Sequence, residues 1–188
     1  HKATAFRLVK TLETEGFLSF DQASNRYALG DAVLRTAYVA LSQAELLRRA
    51  RPHMEKLAAL TGETVDLGVW TDEGALLVGQ VLTANPFKPA IPVGRVFKGL
   101  VSAHSKVLLA FAADAKVAKA LSQPQEPLTP HTITDVAQLA EELSRVRREG
   151  VAYDLQEHTI GICAVGAPIR DFTGEVRASM TEIGRAHV

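Results

Sequence analysis

The spacing of the apolar residues changes several times along this chain, and these changes constrain the fold more than any other feature. Over residues 31–60 apolar side chains recur every three or four positions, which is typical of helix. Over residues 65–81 they alternate with polar residues, which indicates β-strands, and over residues 101–146 the helical spacing returns. Residues 151–181 indicate strands again. Strands that precede and follow a group of helices predict an α+β fold with an antiparallel sheet.

The elements predicted after residue 60 follow from the same spacing. Residues 65–69 and 75–81 form a hairpin around a turn at 72–74. Prolines confine the extended segment 87–93 to an edge or a loop. The last helix is expected to have Thr134 as its N-cap and to stop at Gly150. The other predicted elements are helices at 101–112 and 115–121 and strands at 151–153, 162–169 and 176–181.

Pro52 lies inside the helical pattern of residues 31–60. Because proline lacks the backbone N–H and clashes with the preceding turn, we expect the helix to break or restart near Ala50. Two helices in series are therefore favoured over one rod. The first is a linker that has little local core to pack against, so we expect it to pack on a neighbouring chain or on the other domain. The two apolar stripes are Val33, Leu34, Ala37, Tyr38 and Leu41, and then Leu46, Leu47, Met54, Leu57 and Leu60.

The first thirty residues indicate one helix followed at once by a hairpin, which is the end of a winged helix. Four residues with the spacing of one buried helical face form its apolar side, which we expect to be covered, and Gly16 is a suitable stop. Residues 17–20 and 27–29 read as two short strands joined by a polar turn. The apolar face is Ala5, Leu8, Val9 and Leu12, and the opposite face carries Lys2, Thr4, Phe6, Arg7 and Lys10, with no acidic residue among the first ten.

Composition excludes several classes of protein. The 21 basic residues balance the 21 acidic ones, so contact with nucleic acid requires a local basic cluster such as the one on the first helix. A single cysteine, Cys163, excludes an intramolecular disulfide framework and fits a reducing cytoplasm. The six histidines have no paired ligand spacing, so we predict neither a metal site nor a cofactor. No apolar run of about 18 residues predicts a membrane span, and no leader is readable.

With these elements placed, the chain resembles the IclR family of bacterial transcription regulators along nearly its whole length. Three stretches carry the resemblance, and their order and spacing make it specific. The opening KATAFRLV, with LE and EGFL after it, is similar to the recognition helix and the entry to the wing. The stretch SAHSKVLLA at residues 102–110 is similar to the helix start of the effector domain. The third stretch comprises LTPHTIT at 128–134, RREGVAYD at 147–154, EHTIG at 157–161 and API at 167–169.

The resemblance implies a partial winged helix-turn-helix (residues 1–30), a linker helix (31–43) and a GAF-like effector-binding domain (44–181). It implies a cytoplasmic homodimer or homotetramer that binds an operator in double-stranded DNA and a small organic or aromatic acid. The DNA-binding residues would be Lys2, Thr4, Phe6, Arg7, Lys10 and Arg26. The effector-binding residues would be Ala103, His104, Ser105, Asp154, Ala164 and Thr181, where the unpaired amides and positive dipole end of a helix start suit a carboxylate.

This chain departs from the family pattern at several positions. Lys98 stands where the family usually has proline, and Ser105 stands where it usually has glycine, so the inner wall of the pocket is expected to differ. The family's small or cysteine residue in the penultimate strand falls on Ala164, while Cys163 lies one position earlier and is expected to face the other side of the sheet. Residues 182–188 depart most from the family pattern. The nucleotide sequence GAGATCGGAAGAGCACACGTC would encode them, and it matches a sequencing-library adapter. We interpret them as a translated artefact.

The same residues also allow purely structural interpretations. The basic face of the first helix could be a solvated surface, small residues at a helix start often serve close packing, and a strand-end Asp154 could form a turn. Cys163 with His158 or His104 could form a nucleophile and base, but no flanking signature marks them and a lone cysteine in an apolar run is usually core. The sequence therefore predicts no enzyme. The alternative function is a stand-alone small-molecule-binding or hydrolytic domain without DNA binding.

Overall fold

The computed structural model describes residues 2–43, 45–86, 88–89 and 91–186, with side chains for all of these except 38–43. The chain divides into two compact units, residues 1–48 and 49–188. The elements before the sheet are α1 (Lys2–Thr14), β1 (Leu18–Asp21), β2 (Arg26–Leu29), α2 (Asp31–Gln43) and α3 (Glu45–Thr61). Those that follow are β3 (Thr64–Thr71), β4 (Gly74–Val81), β5 (Val96–Phe97), α4 (Ala103–Ala110), α5 (Asp114–Leu121), α6 (Val136–Glu149), β6 (Ala152–Leu155), β7 (Ile162–Arg170) and β8 (Val176–Arg185).

The predicted opening helix and hairpin are both present in the first unit. β1 and β2 are antiparallel, and the rings of Phe20 and Tyr27, which are opposite each other, lie 4.9 Å apart between centroids. The expectation that the apolar face of α1 is covered is wrong, because Leu8 and Leu12 are 61% and 42% exposed. Among residues 2–37 only Gly30 and Ala32 are buried, so this unit has too small a core to cover that face.

The two predicted helices in series are present, but the break is not where Pro52 predicted it. α3 begins at Glu45 and runs through Pro52 without interruption. Pro52 lies on the exposed side of the helix, where water can satisfy the carbonyl that loses its N–H partner. Met54 of the predicted stripe of α3 is buried, but Leu60 is 73% exposed, and the other buried residues of the helix are Ala50 and Ala58.

The second unit contains a six-stranded antiparallel sheet in the order β5-β4-β3-β8-β7-β6. The predicted α+β class is confirmed. β5 was not predicted, since it has only two residues and is a strand only because it pairs with β4. β8 extends beyond the predicted residue 181 to Arg185, and residues 182–185 pair with β7 and, through 182 and 183, with β3. Strand pairing does not test where these residues come from, so the interpretation of residues 182–188 as a translated artefact stays a prediction.

α4 is the centre of the core, since all eight of its residues are buried. It packs against β3, β6, β7 and β8 on one side and against α6 on the other. α6 contributes Leu139, Leu143 and Val146, which recur at the spacing of one helical face. The N-cap of α6 is Asp135, whose carboxylate accepts the Gln138 amide at 2.8 Å, and not the predicted Thr134. Gly150 ends α6 in the left-handed conformation, as predicted.

Candidate functional site: a pocket at the start of a buried helix

A cavity of about 240 Å³ lies in the second unit between the start of α4 and the inner face of the sheet. Its size suits a small organic molecule. The lining combines apolar side chains with a few polar ones. Its residues are Pro89, Ile91, Phe97, Ser102, Ala103, His104, Asp154, His158, Thr159, Ile162, Ala164, Thr181 and Ile183.

The start of α4 is fixed by its N-cap. The Ser102 hydroxyl oxygen accepts the Ser105 amide at 3.1 Å, and the Ser102 carbonyl accepts the Lys106 amide at 3.1 Å. The first two amides of a helix, here those of Ala103 and His104, have no intrahelical acceptor. With the helix dipole they make this end of α4 suitable for an anion.

His104 is held against the sheet as a neutral ring. Its Nδ1 lies 2.6 Å from Ser179 Oγ and 3.0 Å from Thr181 Oγ1. Gly68 on β3 allows this approach, because a Cβ at that position would lie 2.6 Å from Nδ1. Burial lowers the pKa of His104 to about 4, so the ring is uncharged at neutral pH.

Asp154 is the penultimate residue of β6 and organises the turn that follows. Its Oδ1 accepts the amides of Glu157 at 2.8 Å and His158 at 3.2 Å, so the turn-forming role weighed for this residue is observed together with its position at the pocket. Burial raises the pKa of Asp154 above its ordinary value, although both amide bonds and nearby Lys106 act to lower it. Both amides are bonded to Oδ1, so Oδ2 is the oxygen left for a further hydrogen bond.

Lys106 of α4 connects the helix to this turn. Its ammonium group is fully buried and donates to the Tyr153 carbonyl at 2.8 Å and to Glu157 Oε1 at 2.5 Å. Glu142 of α6 lies 3.7 Å from the same nitrogen. Burial raises the pKa of Glu157 against the opposing effect of Lys106. The lysine of the helix-start motif thus ties α4, β6 and α6 together and does not line the pocket.

Asp66 is a buried carboxylate that the sequence did not single out. It lies on β3 opposite Thr181 of β8, and its Oδ1 accepts from Gln80 Nε2 at 2.8 Å. Gln80 also donates to the Ile91 carbonyl at 3.2 Å, which fastens a pocket-lining segment to the sheet. Burial raises the pKa of Asp66 to about 7, and the bond from Gln80 lowers it by less. The alternating pattern of β3 puts Asp66 on its polar face, but the structure buries Val65, Asp66 and Leu67 alike.

The structure places five of the six predicted effector residues around the cavity. Ala103, His104, Asp154, Ala164 and Thr181 line it. Ser105 does not line it, because its amide is bonded to the Ser102 oxygen and its hydroxyl accepts from Ser102. Lys98 is exposed and also lies outside this lining.

Several lining residues were missed by sequence reasoning. Ser102 could have been found by the N-cap rule, and His158 and Thr159 belong to the EHTIG stretch already noted for its resemblance. Phe97 gave no such signal, since it reaches the site through the short strand β5. Phe87 of the predicted segment 87–93 lies outside the described residues.

Cys163 is not among the residues that line the cavity. It lies one position before Ala164 and borders a depression formed with Tyr153, Leu155 and Val165. Within the ranges that the structure describes, no group of three or more His, Cys, Asp and Glu side chains could hold a metal ion. Nor does any helix in those ranges have the length and apolar character needed to cross a membrane.

The predicted DNA-binding residues lie in the first unit, and all are exposed: Lys2, Thr4, Phe6, Arg7, Lys10 and Arg26. Lys10 is not a bare cation, because it is paired with Glu13 at 2.8 Å on the same helix. Arg26 begins β2 and is opposite Asp21, next to the hairpin turn.

A sequence model of the C-terminal domain of the bacterial transcriptional regulator IclR matches residues 38–183. An HTH-type transcriptional regulator of Mycobacterium tuberculosis is 36% identical over 177 residues, which are 94% of this chain and 68% of that protein. The glycerol operon regulatory protein of Streptomyces griseus is 34% identical, over 90% of this chain and 66% of that protein. The chain thus spans about two thirds of the length of these relatives.

Solved structures share the fold. The structure of an IclR transcriptional regulator from Silicibacter sp. matches with a TM-score of 0.87 and 26% identity, over 98% of this chain and 73% of that chain. The Thermotoga maritima IclR matches with a TM-score of 0.77 and 28% identity, again over 98% of this chain and over 74% of that chain. An IclR homologue from Microbacterium hydrocarbonoxydans, solved in complex with 4-hydroxybenzoate, shares the fold at 23% identity with a TM-score of 0.83, over 100% of this chain and 78% of that chain.

Proposed function

The chain belongs to the IclR family of bacterial transcription regulators, and from this premise we propose that it binds operator DNA with an affinity that a small organic or aromatic acid controls. The observation that carries the proposal is the pocket at the start of α4. Amides with no intrahelical acceptor, the neutral His104 and the buried Asp154 border one cavity of about 240 Å³.

The chemistry of this pocket favours an acid that also carries a hydroxyl group. The carboxylate would lie at the amides of Ala103 and His104, where the helix dipole is positive. Asp154 Oδ2 would accept the hydroxyl, since both amide bonds of this carboxylate go to Oδ1. Phe97, Ile91 and Ile162 would cover the apolar body of the molecule.

The DNA-binding surface in this proposal is the exposed polar side of α1. Lys2 and Arg7 would contact phosphates, while Thr4 and Phe6 would reach base edges, sugars or thymine methyl groups. Lys10 would contribute less than its charge implies, since Glu13 already pairs with it. Arg26, beside the hairpin turn, would contact the backbone or the minor groove.

The proposed organisation is a DNA-binding unit over residues 1–30, a linker helix over 31–43 and an effector-binding domain over 44–181. Control by a ligand requires that the ligand bind two arrangements of the protein with different affinity, because a ligand indifferent to them shifts nothing. We propose that these arrangements differ in the spacing of two DNA-binding units in a homodimer or homotetramer. A protein that binds chromosomal operators would act in the bacterial cytoplasm.

The test is a fluorescence anisotropy titration with DNA from upstream of the gene, at two stated salt concentrations, with and without 4-hydroxybenzoate, benzoate and glycolate. The proposal expects specific binding and a change in apparent Kd with at least one acid. It also expects Arg7→Ala to weaken binding to all sequences and to reduce the salt slope by about 1. Lys119→Ala, an exposed lysine of α5, is the matched control and should leave both unchanged. Effector binding without specific DNA binding would favour a stand-alone sensing domain.

A further inference from the structure

We propose that Thr129 and Thr132, which do not line the pocket, are positioning residues that hold the turn carrying Asp154 and His158 in the shape that binds the effector. This inference rests on the proposed function, since it assigns to these threonines the geometry of one pocket wall. The two residues belong to the LTPHTIT stretch, to which the proposed function gives no role.

The turn after β6 has a conformation that its own sequence does not favour. Gln156 has a φ of 63°, in the left-handed region that non-glycine residues rarely adopt. Asp154 Oδ1 accepts the amides of Glu157 and His158 across the same turn. Such a conformation persists only where the surroundings hold it, and it is typical of functional sites.

The two threonine hydroxyls hold this turn from outside. Thr129 Oγ1 donates to the Gln156 carbonyl at 2.7 Å, and Thr132 Oγ1 donates to the Glu157 carbonyl at 2.7 Å. The acceptors are the two residues between Leu155 and His158. Both bonds therefore act on the backbone of the segment that connects the two pocket-lining side chains, Asp154 and His158.

Each hydroxyl is also fixed as an acceptor, so neither can rotate freely. Thr129 Oγ1 accepts the His131 amide at 3.1 Å, and Thr132 Oγ1 accepts the Thr129 amide at 2.9 Å. Lys106 holds the Glu157 side chain from the side of α4. The wall of the pocket is thus fastened by a loop and a helix that are distant from it in sequence.

The consequence for binding follows from preorganisation. A turn that is fixed before the ligand arrives costs no ordering when the ligand binds. Without the two hydroxyls, Asp154 and His158 would sample positions that do not bind the ligand. We expect the loss of one hydroxyl to raise the Kd of an effector by about tenfold, which corresponds to the net value of one hydrogen bond.

The direct test needs no effector. Amide hydrogen exchange at Glu157 and His158 is measured by NMR in Thr129→Val, Thr132→Val and the double variant, together with the pKa of His158. Burial and nearby Arg95 lower that pKa, so release of the turn should move it towards its ordinary value. Exchange at both amides should quicken more than at amides of β7, and Thr129→Ser and Thr132→Ser should restore both readouts.

Thr173→Val is the matched control, because Thr173 makes a comparable bond to Asp171 in an exposed turn away from the pocket. The Thr173→Val variant should leave amide exchange at Glu157 and His158 and the pKa of His158 unchanged. If the valine variants at Thr129 and Thr132 lose stability but also leave these readouts unchanged, the proposal is overturned. If the valine variants fail to fold, Thr132→Ala in the presence of a stabilising osmolyte and the serine variants decide the same question.

The second arm uses 4-hydroxybenzoate with the wild type and the same variants. A raised Kd in the valine variants and a normal Kd in the serine variants supports the positioning role in binding. If the turn is altered in the valine variants but the wild type binds no 4-hydroxybenzoate, the proposed function fails for this acid. The role of the two threonines in holding the turn is then still supported. An altered turn with unchanged Kd overturns the positioning role.

Discussion

Helices α1 and α4 are opposite extremes of the same chain. α1 has thirteen residues and none of them is buried, whereas α4 has eight and all are buried. The residues of α4 are specified by what surrounds them: a sheet on one side, α6 on the other and a buried ion pair within. The side chains of α1 face solvent and have no such surroundings in the part of the protein that the structure describes. The role of α4 can therefore be argued from its contacts within the protein. The role proposed for α1 depends instead on contact with DNA.

The largest test of this contrast compares two lysine–glutamate pairs. Lys106→Met removes a buried cation and leaves Glu157 buried without it, so we expect a loss of about 3–5 kcal/mol in the free energy of unfolding. Lys10→Met removes an exposed pair with Glu13 and should change stability little. Urea unfolding is followed by the fluorescence of Trp70, the single tryptophan, and by far-UV circular dichroism. Equal effects of the two substitutions would remove the contrast.

A second test uses pH, because the second unit holds two buried groups with opposite shifts. The pKa of Asp66 is raised from 3.8 to about 7, so the native protein keeps a proton that the unfolded chain releases, and stability falls by up to about 4 kcal/mol as pH rises through this window. The pKa of His104 is lowered from 6.5 to about 4, so its contribution is present above pH 6.5 and is lost, by up to about 3 kcal/mol, as pH falls towards 4.

Between pH 4 and 6.5 the two contributions therefore oppose each other. Relative to the wild type, Asp66→Asn should become more stable as pH rises in this range, and His104→Gln should become less stable. Urea unfolding at four pH values between 4.5 and 7.5 measures both difference curves. Difference curves without slope would mean that neither group is buried as described.

Gly68→Ala should have an intermediate effect. The added Cβ would lie 2.6 Å from His104 Nδ1, so the ring must move from Ser179 and Thr181 or the strand must shift. Overpacking of this kind costs about 1–3 kcal/mol. Thermal unfolding gives the cost, and the NMR shifts of the His104 ring show whether it has moved. A variant as stable as the wild type with an unmoved ring would contradict the close approach of β3 and α4.

The smallest effect is expected in the first unit. Phe20 and Tyr27 are directly opposite each other in the hairpin, and both remain more than a third exposed. Phe20→Ala should cost about 0.2–1 kcal/mol, the range for one cross-strand pair. Loss of β1–β2 pairing in NMR spectra, with the second unit intact, would be the local response. A cost as large as that of Lys106→Met would mean that this unit has a core like that of the other.

The sequence predicted elements whose spacing is set by one buried face, such as β3, β4 and α6. It failed where a distant partner decides the outcome. β5 exists through its pairing with β4, and the buried Asp66 is hydrogen-bonded by Gln80, fourteen residues away. At the pocket, Asp154 and Thr181 were expected, but Ser105 was misplaced because Ser102, three residues before it, caps the helix and engages the Ser105 amide. Pro52 misled because its effect depends on which side of the helix it lies.

The central claim is that the cavity at the start of α4 holds the effector, and a binding measurement on two adjacent residues tests it most directly. Ala164 lines the cavity and Val165, the next residue of β7, does not. By isothermal titration with an acid that binds the wild type, Ala164→Leu should abolish binding because its side chain fills the space, while Val165→Leu should bind with the wild-type Kd. Undiminished binding to a folded Ala164→Leu protein would place the effector elsewhere.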